Sequence, residues 1–196
     1  MNMKFDQLID SYLENKVGIT ENFMSEELCD GLRQNIITLE EDNQLRSAGI
    51  GNEENDGRQK MRSDRTYWMD KTHPNQFEQE FLQLAEDFIG RLNDTCYAGI
   101  NDYEFHYAVY DEGAYYHKHR DQFKSDDQRK YSFINYLNRD WLDEDGGHLL
   151  VYPGTDVQKI LPEARTAVFF KSDEMEHEVT LAHRRRSSIS GWLKRV

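Results

Sequence analysis

The chain has 196 residues, enough for one domain with a sizeable buried core. Its 24 basic and 37 acidic side chains leave a formal net charge of −13, a field that repels nucleic acid and anionic membrane surfaces. Two distant cysteines (Cys29, Cys96), no membrane-length apolar stretch and no signal-peptide-like start lead us to expect a cytoplasmic protein in a reducing compartment.

The first half reads mainly helical. Phe5, Leu8, Ile9 and Leu13 recur at helical spacing, as do Leu28, Leu32 and Ile36 behind the candidate N-cap Ser25. Phe77, Phe81, Leu84, Phe88 and Leu92 form a third stripe, and such stripes are expected to face a core beneath a sheet. Between the second and third helices lies a polar stretch with few apolar residues, so a mobile loop is expected near 47–60.

From about residue 99 the period changes. Tyr103, Phe105, Tyr107 and Val109 alternate with other residues, and residues 131–137, 148–152, 166–170 and 187–192 are further short runs rich in aromatic and β-branched side chains. Turn residues punctuate them at 111–113, 145–147 and 152–154. Short strands at this spacing predict an antiparallel sandwich or barrel, so the fold class is α+β. There is no internal repeat and no interdomain linker.

The chemistry concentrates at His119, Arg120 and Asp121, followed by His177 and then by Arg186. Two imidazoles and one carboxylate from a short H-x-D pair and a distant histidine match the facial triad that holds non-haem Fe(II) and leaves positions open for cosubstrate and dioxygen. Arg186 adds a permanently charged fork that can grip a carboxylate through two parallel hydrogen bonds. His117 is the rival ligand, because an uninterrupted strand would turn Tyr115, His117 and His119 to one face. His119 is preferred since Asp121 stands two positions after it. For His177 the competing reading is an exposed loop histidine; the strand-like residues 178–181 favour a ligand and are expected to return Arg186 to the same sheet. Among the other histidines, His73 and His183 read as surface residues, and His106 and His148 as hydrogen-bonded structural residues in strands. Tyr110 and Tyr136 read either as core tyrosines or as partners of a dicarboxylate.

At these residues the sequence resembles the prolyl-4-hydroxylase-like Fe(II)/2-oxoglutarate dioxygenases, above all the hypoxia-inducible-factor prolyl hydroxylases and their bacterial relatives. The matching segments are residues 110–121 (YDEGAYYHKHRD), 134–141 (INYLNRDW), 146–149 (GGHL), the run from His177 through Arg186 to Trp192, and residues 62–68 (RSDRTYW). Ser63 stands where the family motif has glycine, and Leu181 where it carries proline. The resemblance implies one dioxygenase domain over 1–196: a double-stranded β-helix, or jelly roll, at 99–196 with the helical part at 1–98 packed on one sheet. It implies Fe(II) ligation by His119, Asp121 and His177, and 2-oxoglutarate held by Arg186 and Tyr136 with Tyr110 lining the pocket. It further implies ascorbate as a stimulant and hydroxylation of a prolyl residue in a protein or peptide, with release of succinate and CO2. If the source is bacterial, elongation factor Tu is the candidate substrate. The alternatives are the same chemistry on a free amino acid or other small molecule, or a catalytically silent jelly-roll binding module; nucleic acid and membrane are not expected as partners. The clamp argues against the silent module, which has no need of Arg186.

Overall fold

The computed structural model describes residues 2–49, 61–122 and 127–196. The loop expected near 47–60 therefore lies mostly outside the described residues. The helices are α1 (Asn2–Asn15), α2 (Glu26–Glu41) and α3 (Gln76–Cys96). Ser25 caps α2 by accepting from the Leu28 amide at 3.0 Å, and Asn75 caps α3 by accepting from the Phe77 and Glu78 amides. Of the first helical stripe, Phe5, Leu8 and Ile9 are buried whereas Leu13, in the last turn of the helix, is exposed.

Seven strands form the larger sheet, in the spatial order β1 (Val17–Thr20), β9 (Ala167–Lys171), β6 (Arg129–Tyr136), β11 (Arg186–Lys194), β4 (Asp102–Tyr110), β3 (Arg65–Trp68) and β2 (Arg46–Ser47). Four form the smaller one, in the order β5 (Tyr116–His119), β10 (Glu176–Val179), β7 (Leu149–Tyr152) and β8 (Gln158–Ile160). Every strand pair is antiparallel. The two sheets with helices on one of them make the α+β jelly roll that the resemblance implied. β1 to β3, in the half read as helical, are too short for their two-residue period to stand out from the helical stripes.

The central strands β4, β6 and β11 are covered on both faces. Phe105, Tyr107, Phe133, Phe169, Ile189 and Leu193 pack under the helices with Phe5, Phe81 and Phe88. Phe88 stacks on Phe133 with ring centroids 4.9 Å apart and meets Phe169 edge-on at 5.3 Å. The alternate residues, among them Ala108, Tyr110, Ile134, Tyr136, Val168 and Phe170, turn inward against Leu149, Val151 and Val179 of the smaller sheet. No described helix is long and apolar enough to cross a membrane.

A polar knot ties the helices to the sheet. The Glu78 carboxylate is fully buried and accepts from Asn35 Nδ2 at 2.6 Å, with His73 Nδ1 at 2.8 Å. Asn35 also donates to the Tyr107 hydroxyl and accepts from Asn75. His73 is thus a half-buried partner of an acid rather than the surface residue its polar neighbours implied. Asn35→Ala leaves the carboxylate short of a donor and should lower unfolding free energy by about 1–3 kcal/mol in urea denaturation. Gln34→Ala on the exposed face of the same helix should change it by less than about 0.5 kcal/mol.

Candidate active site

The site begins with an irregularity in the smaller sheet. On β10 the step from His177 to Val179 is two residues, but their partners on β5 are His119 and Tyr116, three residues apart. That β-bulge resets the alternation of β5. Tyr116 and His119 consequently share a face and stack, with centroids 3.6 Å apart, while Tyr115 and His117 pair with each other at 4.6 Å. The single face expected for Tyr115, His117 and His119 does not form. His119 is placed opposite His177, with the rings 4.2 Å apart.

Asp121 completes the group. Its Oδ1 lies 3.4 Å from His119 Nε2 and its Oδ2 3.5 Å from His177 Nε2. One ligand atom from each of the three residues falls within 4.8 Å of the others, so the group could hold a metal ion. Each histidine is oriented through its far nitrogen: Nδ1 of His119 donates to the His117 carbonyl at 2.8 Å, and Nδ1 of His177 to the Met175 carbonyl at 3.1 Å. With the proton on Nδ1, the Nε2 lone pairs converge on Asp121. The Ser132 hydroxyl donates to Asp121 Oδ2 at 2.7 Å. Burial would push the Asp121 carboxyl up, but the adjoining His177 and His119 rings and the Ser132 hydroxyl hold it well below the usual carboxylate range. Burial pushes the His177 imidazole down. An ionised carboxylate beside a neutral imidazole is a donor set suited to a first-row transition dication such as Fe(II).

Arg186 stands on β11 in the other sheet, opposite Tyr110 of β4. It does not share a sheet with His177, as the run after His177 had implied; ligand group and arginine face each other across the sandwich. The side chain is 2 % exposed. Its Nε donates to the Gly147 carbonyl at 2.9 Å, which leaves the two terminal nitrogens directed away from that anchor. Gly147 has φ +60, and a Cβ there would come within 3.0 Å of Arg186 Cδ and 3.3 Å of Trp141, so both conformation and space call for glycine. Arg186 Cζ lies 4.7 Å from the Tyr110 ring centroid and 5.1 Å from that of Tyr136. The buried Tyr136 hydroxyl has no hydrogen-bond partner among the described residues. Burial, opposed by Arg186, pushes its pKa up to about 12, so the hydroxyl keeps its proton and can donate. One terminal nitrogen makes only a long contact to Ser188 Oγ at 3.5 Å, and a guanidinium so placed beside an unmet hydroxyl fits a carboxylate.

The cavity joining these groups is also lined by Arg62, His106, Tyr116, Ser190 and Trp192. Arg62 grips the buried Asp64 through two bonds of 2.7 and 2.6 Å and lies over the Tyr116 ring. His106 is in a strand as expected, yet its Nδ1 has no hydrogen-bond partner among the described residues; His148 has the structural bond expected of it, to Asp143 at 3.1 Å. The signal that would have found His106 is parity, for it stands four residues before Tyr110 on one strand and so shares its face. Ser132 is two pairs further along β6 from Tyr136 and is found by the same rule.

The model of the 2OG-Fe(II) oxygenase superfamily matches residues 105–194. A prolyl-4-hydroxylase of Pseudomonas putida superposes with a TM-score of 0.87 at 27% identity, over 98% of this chain and 99% of that one. A Trichoplax adhaerens prolyl hydroxylase, solved with a peptide fragment of the hypoxia inducible factor oxygen degradation domain, gives 0.86 at 23% identity over 97% and 88%. The viral collagen prolyl hydroxylase of Paramecium Bursaria Chlorella virus-1 gives 0.65 at 19% identity over 92% and 97%, a likeness of fold. A histidine–aspartate–histidine group on one sheet and a buried arginine on the other, within a fold shared from end to end with a bacterial prolyl-4-hydroxylase, make this chain similar to the prolyl-4-hydroxylase-like 2-oxoglutarate-dependent Fe(II) dioxygenases.

Proposed function

We propose that residues 1–196 form one dioxygenase domain that hydroxylates a prolyl residue in a protein or peptide, with His119, Asp121 and His177 as ligands of Fe(II). Arg186 and Tyr136 hold the distal carboxylate of 2-oxoglutarate, and Tyr110 walls its pocket. The observation that carries the reading is the unmet Tyr136 hydroxyl beside Arg186, across the sandwich from the histidine–aspartate group. Likeness to the Pseudomonas prolyl-4-hydroxylase over nearly the whole chain supports the prolyl substrate, and elongation factor Tu is the candidate target that the resemblance offers.

When bound, Fe(II), 2-oxoglutarate and O2 supply insertion of one oxygen atom into a C–H bond, with release of succinate and CO2. The chain's part is to bind, orient and exclude water. The two backbone carbonyls fix the imidazole tautomers, Ser132 fixes the carboxylate rotamer, and Arg186 sets the cosubstrate's direction by two-pronged contact. Leu149, Ile134 and Val179 close the cavity with apolar surface, which strengthens every charge contact inside.

The direct test is incubation of the protein with Fe(II), 2-oxoglutarate, ascorbate and a bacterial lysate, followed by mass spectrometry. A gain of one oxygen on a prolyl residue of a protein is expected; brisk hydroxylation of a free amino acid with no protein modified would overturn the substrate class. His119→Ala should abolish turnover with the fold retained by circular dichroism, while His117→Ala should keep most of it. Ser132→Ala should weaken Mn(II) binding about 10- to 100-fold in calorimetric titration, the usual effect of losing a group that orients a ligand. Arg186→Lys keeps charge but loses the planar fork, and should raise the 2-oxoglutarate requirement roughly ten- to hundredfold. Arg184→Lys and Arg185→Lys, on exposed side chains, should change it less than about threefold.

A further inference from the structure

His106 is buried in the cavity wall and takes no part in the metal and cosubstrate roles proposed above. It faces Trp68 across the β3–β4 ladder and Ser190 across the β4–β11 ladder. Its ring forms a triangle with two indoles, 4.8 Å from Trp68 and 5.4 Å from Trp192, which are themselves 6.0 Å apart, and it is tilted by 29° from the plane of Trp192. Stacking accounts for its burial but not for its nitrogens. His106 Nδ1 has no hydrogen-bond partner among the described residues, and neither has Trp192 Nε1. Folded proteins seldom leave buried ring nitrogens on two neighbouring side chains unmet unless something else meets them.

The kind of group that would meet them follows from their chemistry. Burial, with the Arg62 guanidinium nearby, pushes the His106 imidazole down to about 4, so near neutrality it is uncharged and offers one N–H; Trp192 can only donate. Two neutral donors from stacked rings suit one oxygen with two lone pairs and no full charge, such as a peptide carbonyl. A carboxylate is better served by a charged fork. Position agrees. The clamp lies at the Arg186–Tyr110 end of the ladder, four residues or about 13 Å along β4 from His106. His106 lies instead opposite Trp68 of β3, whose side chain is 50 % exposed.

We propose that His106 is a specificity-determining residue which, with the Trp192 indole N–H, takes the carbonyl oxygen of a peptide bond beside the target residue. The inference rests on the protein-substrate reading above. Two variants separate hydrogen bonding from stacking: His106→Phe keeps an aromatic ring without nitrogens, and His106→Gln keeps an N–H without the ring. The probe is a capped peptide mixture, acetyl-Xaa-Ala-Pro-Ala-Xaa-amide, with 2-oxoglutarate consumption followed and 2-oxoglutarate binding titrated separately on the Mn(II)-loaded protein. His106→Phe should raise the apparent KM for the peptides about tenfold and His106→Gln by less than about threefold, with 2-oxoglutarate affinity within about twofold in both. An equal or larger defect in His106→Gln would reduce His106 to a stacking residue, and a parallel loss of 2-oxoglutarate affinity would assign it to the cosubstrate. An unchanged peptide KM in His106→Phe, with the wild type responding to peptides, removes this inference alone. A wild type that consumes 2-oxoglutarate no faster with peptides than without, or faster with free amino acids, removes the protein-substrate reading and this inference with it.

Discussion

The two-residue period of three neighbouring strands governs almost everything else in this molecule. On β4, β6 and β11 the ladder pairs 110 with 186, 108 with 188 and 136, and 106 with 190 and 134. Every one of those positions is even-numbered, and all turn toward the smaller sheet. The odd-numbered partners, Phe105, Phe133 and Ile189, turn under the helices. A slip of one residue on any strand would exchange the two sets, putting Arg186 or Tyr136 into a phenylalanine core. The aromatic packing beneath the helices therefore fixes the register that aims the polar side chains into the cavity. Gly191 shows how tightly this is set: a Cβ there would come within 2.2 Å of Phe105.

The smaller sheet solves the opposite problem. It must break its own period so that His119 meets His177 while Asp121, past the end of β5, still reaches both. The bulge does this at the cost of regular pairing, in keeping with the frequent placement of bulges beside active sites. Burial then decides the charge states. It disfavours charge on His177, whereas Asp121 stays ionised because its neighbours outweigh its burial. Rigid backbone acceptors on both histidines mean that little reorganisation is left for a bound ion to impose.

The helices, the long strands and the aspartate-histidine group were legible because each rests on a local pattern: apolar spacing, alternation or a short motif. What escaped was set by non-local pairing. The face on which His117 lies depends on a bulge defined by β10, nearly sixty residues away, and His73 is drawn inward by a glutamate whose burial depends on Asn35 and Tyr107. His106 was misjudged for a related reason. A strand histidine is ordinarily satisfied by a neighbour, and only the stacked arrangement of Trp68 and Trp192 shows that this one is not. Arg186 was assigned to the sheet of His177 because the turn between them hides a crossing from one sheet to the other.

The β1–β9 ladder bears on how the chain is made as well as how it stands. Val17 pairs with Phe170 and Thr20 with Ala167, so one strand must wait on the ribosome for a partner synthesised roughly 150 residues later. Until then β1, whose Val17 and Thr20 are buried in the finished fold, is an unpaired strand of the kind that recruits strands from other molecules. The length of that delay on the ribosome thus sets how long nascent copies are exposed to one another.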